Sequence, residues 1–281
     1  MEQYLLPDDF FKNPVANDGI FLHHYHTTSE CEKSRIILKD NTFSFLFKGQ
    51  KQLYNENYKE HIESMQYVFM KSGNYLMSEK TTLENEYSSQ LLFFDNNFLA
   101  EFIFKYPQLA APKTQQQPAV LKGDIDEYIL HFLKSISYID PADVLAKKVK
   151  MEEILLYFIQ NKGLSVADLL ENQNKSQQLK IQEIVHNNLD NNLEVSELAF
   201  LCNMSVSTFK RHFKTIYHNS PIKWMQEKRL ETAAQKLLQA EYRANDLYLE
   251  TGYQSLSSFI QAFKQKFGQT PKQYQYKKLD V

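Results

Sequence analysis

The chain has 281 residues, of which 43% are hydrophobic and 23% charged, and a formal net charge of -2. That length suggests two domains, and the composition is that of an ordinary globular protein. Two cysteines, Cys31 and Cys202, are too few for a disulfide framework, and seven glycines with no GxGxxG or GxxxxGK[ST] leave no glycine-rich phosphate cradle, which argues against a nucleotide enzyme.

The opening stretch MEQYLLPDDFFKN is acidic and lacks a basic region followed by an apolar core, so no signal peptide is expected. No run reaches the length of a membrane span, and a reducing, cytoplasmic setting without membrane attachment follows as an expectation. Residues 20–94 carry short runs of strand-favouring residues: RIIL (35–38), TFSFLF (42–47), QYVFM (66–70), NYLM (74–77) and QLLFF (90–94). Gly49 and Gly73 stand where hairpin turns need positive φ, and Phe43, Phe45 and Phe47 alternate onto one face. These features predict a small antiparallel sheet or barrel over about 1–95.

Within that region HHYH (23–26) invites a metal reading, because neutral imidazole binds zinc or iron and His24 and His26 share a face on a strand. His23 could pair with His26 instead. Neither pair has a third ligand at a telling distance, so no metal and no cofactor are expected. Cys31 has no nameable partner base and gives no nucleophile.

The pattern changes at 96. NNFLAEFIFKY (96–106) predicts a short helix capped by Asn, and APKTQQQP (111–118) a loop. A helix capped by Asp124 follows, with Ile125, Ile129, Phe132, Leu133 and Ile136 at helical spacing. Another begins at Pro141, with Leu145, Val149, Ile154, Leu155 and Phe158 as its stripe. These helices, over about 96–162, either pack on the sheet or pair with a second subunit. ENQNKSQQ has linker composition, which places a boundary near 172–178 and domains at 1–172 and 173–281.

Charge divides the same way. Residues 175–281 hold 15 Lys and Arg against 10 Asp and Glu, a surplus of +5, which leaves -7 for the rest. A cationic part joined to an anionic one points to a polyanion met by the C-terminal part alone.

That part repeats itself. Residues 205–221 read SVSTFKRHFKTIYHNSP and residues 255–271 read SLSSFIQAFKQKFGQTP, in register at an offset of 50. Ser205 and Ser255 are expected caps, and the pairs Phe209/Phe213 and Phe259/Phe263 lie at i, i+4 on an inward face. The outward residues are Ser207, Lys210, Arg211 and Lys214 in one copy and Ser257, Ile260, Gln261 and Lys264 in the other. A shorter helix precedes each copy: LEVSELAFLCNMS, capped at Ser196 or a neighbour, and RANDLYLETGYQS, where Gly252 suits a left-handed turn. Helix, short turn and second helix is the helix-turn-helix layout. SPIKWMQEKRLETAAQKLLQAE joins the copies, started by Ser220 and Pro221, with Ile222, Met225, Arg229, Ala233, Leu237 and Leu238 as its stripe. About 18 helical residues span roughly 27 Å, near the ~34 Å between major-groove faces on one side of B-DNA.

LA (198–199), SVSTFKRHFK, SPIKWMQEKRLETAAQKLL, ETGYQSLSSFIQAFKQKFGQTP and Tyr274 together resemble the AraC/XylS family of bacterial transcriptional regulators, over roughly 178–275. The resemblance implies an α+β protein: a cupin-like barrel with following helices for sensing and dimerisation, then an all-α domain of two helix-turn-helix motifs joined by a long helix. It implies a sequence-specific DNA-binding regulator, an activator and not an enzyme. Its expected partners are double-stranded DNA, RNA polymerase, a second copy of itself, and a small effector or regulatory protein acting on the N-terminal domain.

Carried over by position, Ser207, Lys210 and Arg211 read bases, with Arg or Lys suited to guanine, while Lys214 and Lys264 reach phosphates, as do Lys228, Lys266 and Arg243. Ser257, Ile260 and Gln261 form the less charged second face, where Gln suits adenine. Tyr248 departs from the alanine usual in the family, and Arg229 matches a structural position. The alternative reading, a cupin-type metal enzyme fused to a DNA-binding tail, rests on HHYH alone.

Overall fold

The computed structural model describes residues 2–10, 19–55, 58–110, 121–169, 177–191, 193–239 and 242–279. They form two compact units, Met1–Lys175 and Ser176–Val281. The predicted loop at 111–118 and most of the predicted linker lie outside the described residues.

Among the described residues, the first unit contains ten strands in two five-stranded sheets. One sheet orders β1 (Gln3–Leu6), β3 (Cys31–Leu38), β8 (Gly73–Lys80), β5 (Gln50–Tyr54) and β6 (Lys59–Ile62). The other orders β10 (Lys122–Asp124), β7 (Gln66–Met70), β4 (Asn41–Lys48), β9 (Tyr87–Phe94) and β2 (Ile20–Thr27). All neighbours are antiparallel except β1, which runs parallel to β3. The cupin-like expectation therefore takes the form of two facing sheets rather than a barrel closed by hydrogen bonds.

β4 shows how the layers are built. Phe43 and Phe45 leave one face and pack with Tyr67, Phe69, Phe94 and Phe158, with Phe47 partly buried beside them. Leu46 leaves the other face and joins Ile36, Leu53, Tyr75 and Phe93 between the sheets. One sheet is thus covered on both faces, by the second sheet and by helices, and alternation survives because each parity has its own core. Gly49 and Gly73 take positive φ, 94° and 146°, as the turns require. At Gly49 a Cβ would also lie 2.6 Å from the Lys80 carbonyl oxygen.

The covering helices are α1 (Asn96–Lys105), α2 (Glu127–Ile136), α3 (Val144–Asn161) and the short α4 (Val166–Leu169). Their caps correct the expected ones. Asp95, rather than Asn, accepts from Phe98 N–H at 2.8 Å. Asp126, rather than Asp124, accepts from Ile129 N–H at 2.9 Å. Asp124 belongs to β10, opposite Gln66. Pro141 lies in the turn before α3, whose cap is Asp143. At α1 the carboxylate wins because it accepts a backbone N–H more strongly than an amide does and favours the positive end of the helix dipole; at α2 Asp124 is already committed to β10.

The α3 stripe is corrected as well. Met151, Ile154, Leu155, Phe158 and Ile159 are buried, whereas Leu145 is 72% and Val149 54% exposed.

The second unit is helical: α5 (Gln177–Asn187), α6 (Val195–Leu201), α7 (Val206–Tyr217), α8 (Pro221–Lys236), α9 (Ala244–Glu250), α10 (Leu256–Phe267) and α11 (Pro271–Leu279). No helix among the described residues is long and apolar enough to cross a membrane.

Candidate nucleic-acid interface

The 50-residue repeat is a repeat of packing. Phe209 and Phe213 are fully buried, as are Phe259 and Phe263. Thr208 N–H donates to Ser205 Oγ at 3.2 Å, and Ser258 N–H donates to Ser255 Oγ at 3.2 Å. Each predicted cap is therefore made, at equal length.

The repeat extends further than the quoted stretches. Phe213 and Tyr217 close on Trp224 of α8, at ring-centroid distances of 5.6 and 4.4 Å. Fifty residues on, Phe263 and Phe267 close on Tyr274 of α11, at 5.4 and 5.5 Å. Each recognition helix is clasped from behind by a third helix through a large ring. The sequence signal was available: Trp224 and Tyr274 stand at the same offset as the serines.

The preceding helices correspond at an offset of 49, not 50. α6 and α9 are both seven residues long, and both begin with a main-chain N–H donating to a carboxylate three residues on: Glu194 to Glu197 at 2.7 Å and Arg243 to Asp246 at 3.2 Å. The cap of α6 is thus Glu194 rather than Ser196. Left-handed residues end both helices, Asn203 (φ 56°) and Gly252 (φ 77°). The second turn then holds one extra residue, Gln254, which is exposed. Tyr248 stands where the first motif has the buried Ala199, and it packs partly buried against the core of the second motif.

With the aromatic face inward, Ser207, Lys210, Arg211 and Lys214 are all exposed, and so are Ser257, Gln261 and Lys264. Ile260 is half-buried against the core beneath α10. Ser207 Oγ lies 3.0 Å from Ser205 Oγ, so the capping hydroxyl also orients the outward one. Burial pushes the Tyr217 and Tyr253 phenols up, so both stay neutral.

α8, which joins the motifs, has 16 residues rather than 18, or about 24 Å. Trp224, Met225, Leu230, Ala233 and Ala234 are buried along it, while Ile222 and Leu238, expected in its stripe, are 56% and 38% exposed. Arg229 Nε donates to the Leu189 carbonyl at 3.4 Å, in keeping with a structural role. Lys228 and Lys266, expected on phosphates, are both engaged by Glu231, at 2.8 and 2.9 Å. These two ammonium groups, Lys228 first, hold the Glu231 carboxyl below the usual range.

The histidines form no such constellation. His23 turns inward and stacks on Phe10, centroids 4.0 Å apart, while His24 and His26 are exposed. Among the described residues no group of three His, Cys, Asp or Glu side chains is placed to hold a metal ion.

Two family descriptors match the chain: a helix-turn-helix domain over residues 198–277 and the ExsA N-terminal regulatory domain over 41–169. Both matches fall within the resemblance to the AraC/XylS family of transcriptional regulators. Within it, similarity runs to VirF, the virulence regulon transcriptional activator of Yersinia enterocolitica, at 25% identity over 83% of this chain and 88% of the relative. ExsA of Pseudomonas aeruginosa, an HTH-type transcriptional regulator, is 29% identical over 44% of this chain and 45% of its own. Among solved structures, an apo ToxT variant from Vibrio cholerae aligns over 92% of this chain and 97% of its own, at 13% identity and a TM-score of 0.43.

Proposed function

We propose that the protein is a transcription activator that grips a promoter duplex through α7 and α10 together and is controlled through its first unit. The observation that carries this reading is the duplicated, separately capped and ring-clasped recognition helix, with a cationic outer face on the first copy. Lys210 and Arg211 read base edges, Lys214 and Lys264 meet phosphates, and Ser207, Ser257, Ile260 and Gln261 complete the contact. VirF, named an activator, supports the sign of regulation.

RNA polymerase, a small effector or regulatory protein, and a second copy of the chain are the proposed partners. The exposed Leu145 and Val149, one turn apart on α3, support the second copy, since paired apolar side chains on a helix face are covered at low cost by a twin. The protein acts in the cytoplasm, where its DNA is, and has no enzymatic step.

Genomic footprinting with the full chain tests the reading. A protected site with two half-sites on one side of the duplex, and affinity that falls steeply with salt, are expected. A salt-independent or sequence-indifferent footprint overturns it. Sedimentation of Leu145→Asp/Val149→Asp, expected to be monomeric where the wild type is dimeric, tests the pairing.

A further inference from the structure

The connecting helix α8 is held from both ends by different means. Its first half is gripped through Trp224, which meets the rings of Phe213 and Tyr217 in the first motif and of His186 in α5. Its second half packs Leu230, Ala233, Ala234 and Leu237 against Leu247, Phe259 and Phe263. Apolar contact of this kind supplies the larger part of the holding energy, but it is non-directional and pins no single atom of one helix to an atom of the other.

One polar contact on the second side is directional. Lys266, in the last turn of α10, donates from Nζ to the main-chain carbonyl of Glu227 at 2.7 Å and to Glu231 Oε1 at 2.9 Å. Lys228 Nζ donates to the other oxygen, Glu231 Oε2, at 2.8 Å, which fixes the rotamer of the carboxylate. Lys266 therefore touches α8 at two points one turn apart, one of them main chain. That specifies both where α10 sits along α8 and how it is rotated about it. The corresponding position of the first recognition helix is Ile216, which has no charge to make such a bond.

We infer that Lys266 and Glu231 are positioning residues that set the pose of the second recognition helix on α8, and so the half-site spacing the protein accepts. The inference rests on the reading that both helices meet one duplex. The pair is partly exposed, at 21% and 43%, so it adds little to stability. What it supplies is direction, and its removal is expected to show in the geometry of binding rather than in melting.

The test uses the full chain and three duplexes built from the footprinted site: natural spacing, one base pair inserted between the half-sites, and the second half-site scrambled. Glu231→Gln, Lys266→Gln and the exchanged pair Glu231→Lys/Lys266→Glu are compared with wild type. Each single variant is expected to lose about fivefold to twentyfold affinity on the natural duplex, to keep wild-type affinity for the duplex with a scrambled second half-site, and to suffer a smaller penalty from the inserted base pair. The exchanged pair is expected to recover part of the spacing penalty.

Glu231→Gln binding all three duplexes more tightly with a steeper salt slope would mean that Lys266 is a phosphate contact once released, and the inference fails. It fails equally if a spacing-sensitive wild type and its variants agree within twofold on every duplex. A wild type indifferent to spacing overturns the two-helix reading itself, and the positioning role with it.

Discussion

The two helix-turn-helix motifs share a scaffold and differ on nearly everything outside it. Both bury two phenylalanines, both begin their recognition helix on a serine, and both are clasped by a ring from the helix that follows. The first presents Lys210, Arg211 and Lys214, whereas the second presents Gln261 and Lys264 beside a half-buried Ile260. The first ends its helices on left-handed Asn203 and His218, the second on Gly252 and Gly268. The second alone carries the extra Gln254 in its turn and the Lys266 tie to α8. Burial constrains the inner face to one solution, while solvent leaves the outer face free to diverge, so the two copies can hold equal folds and unequal readings of DNA.

The largest test of that comparison concerns the shared scaffold. Phe209→Ala and Phe259→Ala should each cost about 3–5 kcal/mol in denaturant unfolding of the second unit. Equal losses with one transition mean that the motifs fold as one body through α8. A separate early transition in one variant would show that they fold independently.

Next come the outer faces. Arg211→Ala or Lys210→Ala should weaken cognate binding by about 1–3 kcal/mol and relax preference within one half-site, read by competition with substituted duplexes. An unchanged Arg211→Ala would remove α7 from the base-reading role. Lys264→Ala should instead weaken all sequences alike and lower the salt slope by about 1, since one fewer phosphate is neutralised. A sequence-dependent loss there would make the second face a reader rather than an anchor.

The smallest effects concern the helix ends. At Gly268, φ is 74° and a Cβ would meet nothing within 4 Å, so Gly268→Ala isolates the backbone cost, about 1 kcal/mol in thermal unfolding. His218→Gly, at φ 53° in the first motif, should stabilise by about 0.5 kcal/mol, the relief of strain being partly offset by chain entropy.

The α7 and α10 caps and their phenylalanine pairs were legible in the sequence because they are set by spacing of a few residues. The runs at 35–38, 42–47, 66–70, 74–77 and 90–94 all lie in strands for the same reason. β1, β5 and β6 were not legible: each is short and chemically mixed, and β1 exists only by pairing with β3, some thirty residues away. Leu145 and Val149 misled because helical spacing shows that apolar residues share a face without showing what covers it. The helix caps went astray by one or two residues wherever several Asp and Asn side chains competed. On the candidate interface, the outward residues followed from the phenylalanines, but the fate of Lys228 and Lys266 did not. Their partner Glu231 is a neighbour of Lys228 in sequence and reaches Lys266 only through the packing of α10 on α8.

By itself the sequence determined that one capped, aromatic-backed helix occurs twice and that its cations face outward in the first copy, because capping and i, i+4 burial act over a single turn. Only the tertiary structure decided that a cation of the second copy, Lys266, is bound by the Glu231 carboxylate of α8. An ammonium group pairs with whatever packing brings within about 3 Å, and that distance is set by helices far apart in the chain.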